Sequence, residues 1–170
     1  MRLVGLSGRA IRDLAAGRTV TVDGVEVAWP DHDRRVLGYR RQALTDDPGS
    51  APYLLHVLLD GTTVAGRIGC HEGARDGVVE IGYAVSPAYR GRGVGTALVR
   101  EFLAWLAARG VRTVRASVSP GNAASRALLA RFGFVEVGSH VDDEDGVELE
   151  LQADLVDVAD VSTAGPAAAG

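Results

Sequence analysis

Residues 85–96 read Val-Ser-Pro-Ala-Tyr-Arg-Gly-Arg-Gly-Val-Gly-Thr, and they lie between a predicted strand and a predicted helix. Glycines at positions 91, 93 and 95 allow the backbone to come close to a ligand. Amides at a helix N-terminus point at such a ligand with the positive end of the helix dipole. Arg90 and Arg92 add two positive charges, which suit a pyrophosphate or a phosphate monoester without a metal ion. The stretch therefore predicts a phosphate-binding loop.

The pattern around this loop predicts a mixed α/β domain. An apolar strand is expected over 78–85, and apolar residues at helical spacing predict a helix over 93–109. A strand over 111–118 follows, and because a crossover helix joins it to the earlier strand, the two should be parallel. A dinucleotide-binding fingerprint fits less well, since Thr96 stands where its third glycine belongs.

The remaining segments fill out one domain, expected over residues 1–155. Turn residues and alternation predict two antiparallel strands over 53–59 and 62–70. Residues 156–170 have no pattern that could bury surface, and we predict a disordered tail there. The other predicted elements are helices over 6–16, 31–46 and 122–131, a hairpin over 19–29, and a final hairpin formed by 134–140 and 147–151.

Composition excludes several kinds of chemistry. All 18 basic residues among the 170 are arginine, so a Walker A loop and a lysine Schiff base are both excluded. The single cysteine excludes an internal disulfide or a Cys-pair zinc motif, and we expect no metal. A net charge of −4 argues against nucleic acid as a partner. Residues 1–17 hold no long apolar run, so no membrane association is expected and the predicted location is cytoplasmic.

The phosphate loop resembles that of the GCN5-related N-acetyltransferase (GNAT) family, since Arg90-Gly-Arg-Gly-Val-Gly95 fits the family's Arg/Gln-x-x-Gly-x-Gly/Ala pattern. The segment 80–85, Glu-Ile-Gly-Tyr-Ala-Val, precedes the loop as it does in that family. Residues 120–125 and 131–134 follow it in the same order and spacing. Together with Asn122-x-x-Ser125 and Asp145-Gly-Val-Glu148, these residues are most similar to the ribosomal-protein N-terminal acetyltransferase (RimJ/RimL-like) branch. The resemblance covers residues 53–151 and is weak over the first fifty.

The resemblance implies a GNAT fold, with a mixed, mostly antiparallel sheet, a splayed parallel strand pair and flanking helices. It also implies transfer of acetyl from acetyl-CoA to a primary amine, by direct attack while both substrates are bound. The acceptor could be a protein N-terminus or a small molecule, and a homodimer stays open. An alternative is a non-catalytic acyl-CoA-binding or sensor module, because Leu129 stands where many members of the family have a tyrosine.

The resemblance further implies which residues hold acetyl-CoA. The backbone of Ala84 and Val85 would pair with the pantetheine arm, and Asn122 and Ser125 would face the cofactor from the next helix. The pyrophosphate would be held by the amides of Arg90, Gly91, Arg92, Gly93, Val94, Gly95 and Thr96.

Glu80 is the candidate general base, acting directly or through a water molecule. It is a lone carboxylate in an apolar strand, where desolvation favours proton uptake, although a structural or solvent-facing role is the alternative. Ser125 is the candidate group that stabilises or protonates the leaving thiolate, with Tyr83 and Tyr89 as weaker alternatives. Cys70 is interpreted as a small buried hydrophobic residue rather than a nucleophile.

Overall fold

The computed structural model describes residues 1–30, 33–144 and 146–155, and within them a seven-stranded sheet forms the centre of the fold. The strand order across that sheet is β1-β4-β5-β6-β7-β9-β8, and a separate hairpin pairs β2 with β3. The strands are β1 (Arg2–Gly5), β2 (Val20–Val22), β3 (Val25–Val27), β4 (His56–Asp60), β5 (Thr63–Cys70), β6 (Val78–Val85), β7 (Thr113–Val118), β8 (Val135–Asp142) and β9 (Gly146–Asp154).

Five α-helices in the described residues flank this sheet. Two of them begin at a side-chain cap: Ser7 Oγ accepts from the Ala10 amide at 3.2 Å, and Asn122 Oδ1 accepts from the Ser125 amide at 3.1 Å. The helices are α1 (Gly8–Ala15), α2 (Arg34–Asp46), α3 (Ala51–Leu54), α4 (Val94–Ala107) and α5 (Ala123–Ala130). The predicted mixed α/β class is confirmed.

Strands β6 and β7 form the parallel pair, and they separate partway along their length. Their register runs only from Val78↔Thr113 to Glu80↔Arg115. Beyond that point β6 stays paired with β5 as far as Val85, while β7 stays paired with β9 as far as Val118. The predicted splayed pair is confirmed, and the gap between the strands opens immediately after Glu80.

Two apolar clusters hold helices on the two faces of the sheet. On one face, Phe102 and Leu98 of α4 pack with Val79 and Ile81 of β6, all of them 3% exposed or less. On the other face, α1 and α2 contribute a second cluster with β4. Since side chains alternate along a strand, Glu80 and Gly82 point away from α4 and towards α2. A small molecule that reaches both faces must therefore pass through the gap.

The N-terminal third departs most from the sequence prediction. Strand β1 was not expected, and the predicted strand over 53–59 begins only at His56, because α3 occupies residues 51–54. This helical turn packs directly on β5: a Cβ on Gly69 would lie 2.0 Å from the Leu54 carbonyl oxygen. The predicted disordered tail, residues 156–170, lies outside the described residues.

Candidate functional site

A cleft of about 790 Å³ opens where β6 ends and α4 and α5 begin, and we call it the cofactor cleft. Arg92 is absent from its lining, whereas Arg131, just beyond α5, contributes to it without having been singled out in the sequence. The cleft brings together most of the residues predicted to bind the cofactor, namely Ala84, Val85, Arg90, Gly91, Gly93, Val94, Gly95, Thr96, Asn122 and Ser125.

Glycine conformation shapes the loop of the cofactor cleft. Gly91 and Gly93 have φ values of 71° and 76°, in the left-handed region that favours glycine. Gly93 directly precedes the first residue of α4, so the free amides of the first turn face the cleft. A Cβ on Gly95 would lie 3.1 Å from Leu128 Cδ2, and its absence lets α4 and α5 approach each other. This arrangement is suited to an anionic group.

Tyr83 and Ser125 meet at the inner end of the cofactor cleft. The two hydroxyl oxygens are 2.6 Å apart and share one hydrogen bond, in which either group can donate. Burial raises the pKa of the Tyr83 phenol, and the hydrogen bond with Ser125 offsets part of this effect. The phenol therefore stays protonated at neutral pH and remains a hydrogen-bond donor. Leu129, in contrast, is fully buried in the core.

A second cavity, of about 430 Å³, lies in the gap between β6 and β7. It shares Tyr83, Asn122 and Ser125 with the cofactor cleft. On the far side it shares Gly82, Tyr83, Ser117 and Glu148, among others, with a larger cleft of about 910 Å³ that faces α2. We call this larger space the acceptor-side cleft. The three spaces adjoin one another, so the gap connects the two faces of the sheet.

Glu80 lies beside this connection rather than in it. Its Oε1 accepts a hydrogen bond from Ser117 Oγ at 2.8 Å and lies 3.6 Å from His71 Nδ1. The Glu80 side chain is 37% exposed and borders a smaller pocket near Gln42 and Glu72, so the apolar surroundings expected from the sequence are not found. Ser117, which the sequence analysis did not single out, lines both the gap and the acceptor-side cleft.

Two further titratable groups near the site, His71 and Cys70, have shifted pKa values. Burial lowers the pKa of His71, with the positive charge of Arg40 adding to the effect and Glu80 opposing it. Cys70 is buried, as predicted, and burial raises the pKa of its thiol to about 12, so the thiol stays protonated at neutral pH. In the described part of the chain, no three histidine, cysteine or acidic side chains are grouped to hold a metal ion.

Arg40 is a buried site residue that carried no signal in the sequence. It occupies one position of a helix that also contains Arg34, Arg35 and Arg41, and nothing in that local pattern distinguishes it from them. The structure places Arg40 in the wall of the acceptor-side cleft with 4% exposure.

None of the helices in the described ranges is long and apolar enough to cross a membrane.

The known proteins that this chain resembles in sequence are acetyltransferases. The model of the acetyltransferase (GNAT) family matches residues 12–134. An L-2,4-diaminobutyric acid acetyltransferase from Nocardia farcinica is 36% identical over 123 residues, which are 64% of this chain and 58% of that protein. A mycothiol acetyltransferase from the same organism is 36% identical over 133 residues, which are 78% of this chain and 39% of that protein. The chain thus spans less than two thirds of either relative.

Among solved structures, RimJ from Mycobacterium smegmatis in complex with CoA-disulfide has a similar fold. Its TM-score is 0.62 at 18% sequence identity, and the match covers 94% of this chain and 88% of that one. At this level of identity the similarity is one of fold.

Proposed function

Because the chain belongs to the GNAT family of acetyltransferases, we propose that it transfers the acetyl group of acetyl-CoA to a primary amine. The observation that carries this proposal is the connection between the two clefts. The cofactor cleft and the acceptor-side cleft adjoin the same strand gap, and Tyr83 borders all three spaces. Two substrates that enter from opposite faces would meet at this residue, which is the arrangement that direct attack requires.

The residues of the cofactor cleft fit acetyl-CoA. The amides that follow Gly91 and Gly93 would hold the pyrophosphate, with Arg90 and Arg131 supplying positive charge. Since pairing between β6 and β7 ends at Glu80, the edge of β6 that faces the gap has no strand partner from Ile81 onwards in the described residues. The backbone of Ala84 and Val85 would pair with the pantetheine arm along this edge, as an added strand does.

When bound, acetyl-CoA supplies a thioester whose C–S bond breaks as the amine nitrogen bonds to the carbonyl carbon. We propose that Tyr83 and Ser125 donate a hydrogen bond to the departing sulfur, a role supported by their position at the inner end of the cofactor cleft. The phenol is the more acidic of the two hydroxyls, so Tyr83 is the better proton source and Ser125 positions it. In this proposal Ser125 keeps a supporting role in stabilising the leaving thiolate, and Tyr83 is the main proton donor.

The amine must lose a proton, and Glu80 is proposed to accept it through Ser117 or a water molecule. For an amine with a pKa of about 10.4, only about one molecule in 2,000 is free base at neutral pH, which corresponds to roughly 4–5 kcal/mol. Ser117 lines the gap and donates to Glu80, so a proton can move from the gap to the carboxylate along this hydrogen bond. Glu148 also lines the gap, where its charge would attract the ammonium form.

Glu80→Gln tests this assignment. We expect kcat to fall about 100-fold at pH 7, the usual size of a general-base contribution. The difference in kcat between the wild type and the variant should shrink as the pH approaches the pKa of the amine, since a larger fraction of the amine is then already deprotonated. Release of the CoA thiol would be followed with a panel of amines, with Glu101→Gln, exposed on α4, as the matched control. An unchanged kcat across the pH range would remove Glu80 from the mechanism.

The non-catalytic alternative is tested by the same assay. It rests on Leu129, but the Tyr83–Ser125 pair provides hydroxyl groups at the cleft without a tyrosine at that position. If CoA binds tightly and no amine in the panel is acetylated, the chain is a binding or sensor module instead. The absence of nucleic-acid partners stays a prediction, and the identity of the acceptor and the oligomeric state stay open.

A further inference from the structure

The acceptor-side cleft is lined by three arginines, and they differ in how their charges are balanced. Arg67 is held by both carboxylate oxygens of Asp33. Arg35 donates to Glu144 at 2.8 Å. Arg40, in the described part of the chain, forms no ion pair, and its Nε has no hydrogen-bond partner. The cleft therefore contains one guanidinium whose counter-ion is missing among the described residues.

Arg40 is also the most deeply buried of the three. The residue is 4% exposed, and burial, with the charge of Arg67 in second place, lowers its pKa to about 10. It consequently stays protonated at neutral pH. A buried charge without a partner is unfavourable and is rarely kept for stability alone. The negative charge of Glu80 stabilises the protonated Arg40 through space, but the hydrogen bond that Glu80 accepts comes from Ser117.

The guanidinium lies next to the path that leads to Tyr83. Its Nη2 is 3.8 Å from the point where a Cβ would sit on Gly82, and Gly82 lines both the strand gap and the acceptor-side cleft. The His71 ring lies closer still to this point, with its Nε2 at 3.1 Å, so Arg40 and His71 together border the gap on this side. Gly82 and Tyr83 are consecutive residues, so one small molecule can reach both the guanidinium and the reacting centre.

We propose that the acceptor carries a carboxylate as well as an amine, and that Arg40 binds this carboxylate. The substrate class is then an amino acid with a free carboxylate, rather than a polyamine or a protein N-terminus. The inference rests on the proposed acetyltransferase activity and specifies its acceptor. The two charges of such a substrate would be matched within one cleft, with Arg40 near the carboxylate and Glu148 near the ammonium group.

Matched acceptor pairs that differ only by the carboxylate test the proposal with the wild-type protein. Suitable pairs are alanine with ethylamine and ornithine with 1,4-diaminobutane, assayed by release of the CoA thiol. We expect kcat/KM to be about 100-fold higher for the carboxylate-bearing member of at least one pair, the effect of one hydrogen-bonded ion pair. Equal or higher kcat/KM for both carboxylate-free amines would overturn the inference while leaving the acetyltransferase activity in place. Failure of all four amines would instead count against the activity itself.

The variant Arg40→Met tests whether Arg40 causes the preference for a carboxylate-bearing acceptor. The carboxylate-bearing acceptor should lose about 100-fold in kcat/KM, mainly through KM, while its carboxylate-free partner changes less than about threefold. Arg41→Met makes the same change on the exposed side of the helix and should leave both values unaltered. The melting temperature of ligand-free Arg40→Met should stay equal or rise, because an unpaired buried charge is removed. A lower melting temperature with an unchanged preference would show that Arg40 is structural.

Discussion

The contact between Tyr83 and Ser125 is a feature of the site that the sequence alone does not reveal. A leucine stands at position 129, where the family resemblance leads one to expect a tyrosine next to the CoA thiol. It also shows a serine at 125 and a tyrosine at 83, but no pattern indicates that they touch, since 42 positions separate them. Only the packing of α5 against the end of β6 brings the two hydroxyls together.

Replacing Tyr83 by phenylalanine should lower kcat about 100-fold while CoA affinity changes less than about threefold. The ring and its packing are retained, and only the hydroxyl that is proposed to meet the leaving sulfur is lost. Stopped-flow or steady-state thiol release gives kcat, and calorimetric titration gives affinity. Tyr53→Phe, in the aromatic cluster with Trp105, is the control.

The double variant Tyr83→Phe/Ser125→Ala should be little worse than Tyr83→Phe, because the two hydroxyls act through one hydrogen bond. Wild-type turnover in Tyr83→Phe would show that the phenol does not assist the leaving group, and wild-type turnover in the double variant would exclude Ser125 as well.

At the scale of elements, the start of α5 combines a helix cap with a position in the lining of the cofactor cleft. Asn122 Oδ1 accepts from the Ser125 amide, and the same residue lines the cofactor cleft and the strand gap. Aspartate at this position would still cap the helix and would favour the helix dipole, but it would place a negative charge beside the expected thiolate.

We therefore expect Asn122→Asp to weaken CoA binding or turnover about tenfold, with a melting temperature within about 2 °C of the wild type. Calorimetric titration and thermal unfolding measure the two effects. Ser7→Asp makes a comparable change at the N-cap of α1, away from the clefts, and should alter neither quantity. Loss of stability without loss of binding would mean that Asn122 serves only as a cap.

How well an element could be predicted depended on whether its own residues carried the signal. Strand β6 and helix α4 were predicted to within two residues, because β6 is apolar apart from Glu80 and α4 has an apolar stripe, with Gly110 shortly after its end. Strand β1 has only four residues, and pairing with β4, as in Leu3↔Leu58, makes it a strand. Helix α3 is short, and its packing on β5 could not be read from residues 51–54 alone.

That most of the predicted cofactor-binding residues would lie in one cleft was predictable for the same reason, since they cluster in two short segments around the loop and the start of α5. The acceptor side was not. Its lining comes from α2, β5, β6, β7, β9 and the turn before β9, which are brought together only by the sheet order. Arg40 and Ser117 acquire their positions in the cleft from this assembly.

At the scale of the whole molecule, a buried histidine joins the sheet to α4 and makes stability depend on pH. His56 is 3% exposed, its ring lies 4.9 Å from Phe102 and 4.6 Å from Trp105, and its Nδ1 has no partner. Burial, followed by the charge of Arg109, lowers the pKa of His56 from 6.5 to about 4. The folded protein therefore holds this ring neutral at a pH where the unfolded chain binds a proton.

The sign of the effect follows from this difference. Above pH 6.5 the ring is neutral in both states, and its contribution to stability is complete. As the pH falls from 6.5 towards 4, the unfolded state gains the proton first, so the free energy of unfolding decreases by about 2 kcal/mol at pH 5. The pKa of His71 is also lowered, so this second histidine acts in the same direction.

Urea unfolding at pH 7.5 and pH 5.0 should thus show a loss of stability in the wild type that is about 2 kcal/mol larger than in His56→Leu. The variant can be less stable at both values, because the comparison is between the two losses. His140→Gln, whose side chain is 40% exposed on β8, should retain the loss seen in the wild type. Equal losses in the wild type and His56→Leu would mean that the ring between β4 and α4 is protonated without unfolding, and that the contact between this helix and the sheet tolerates a charge.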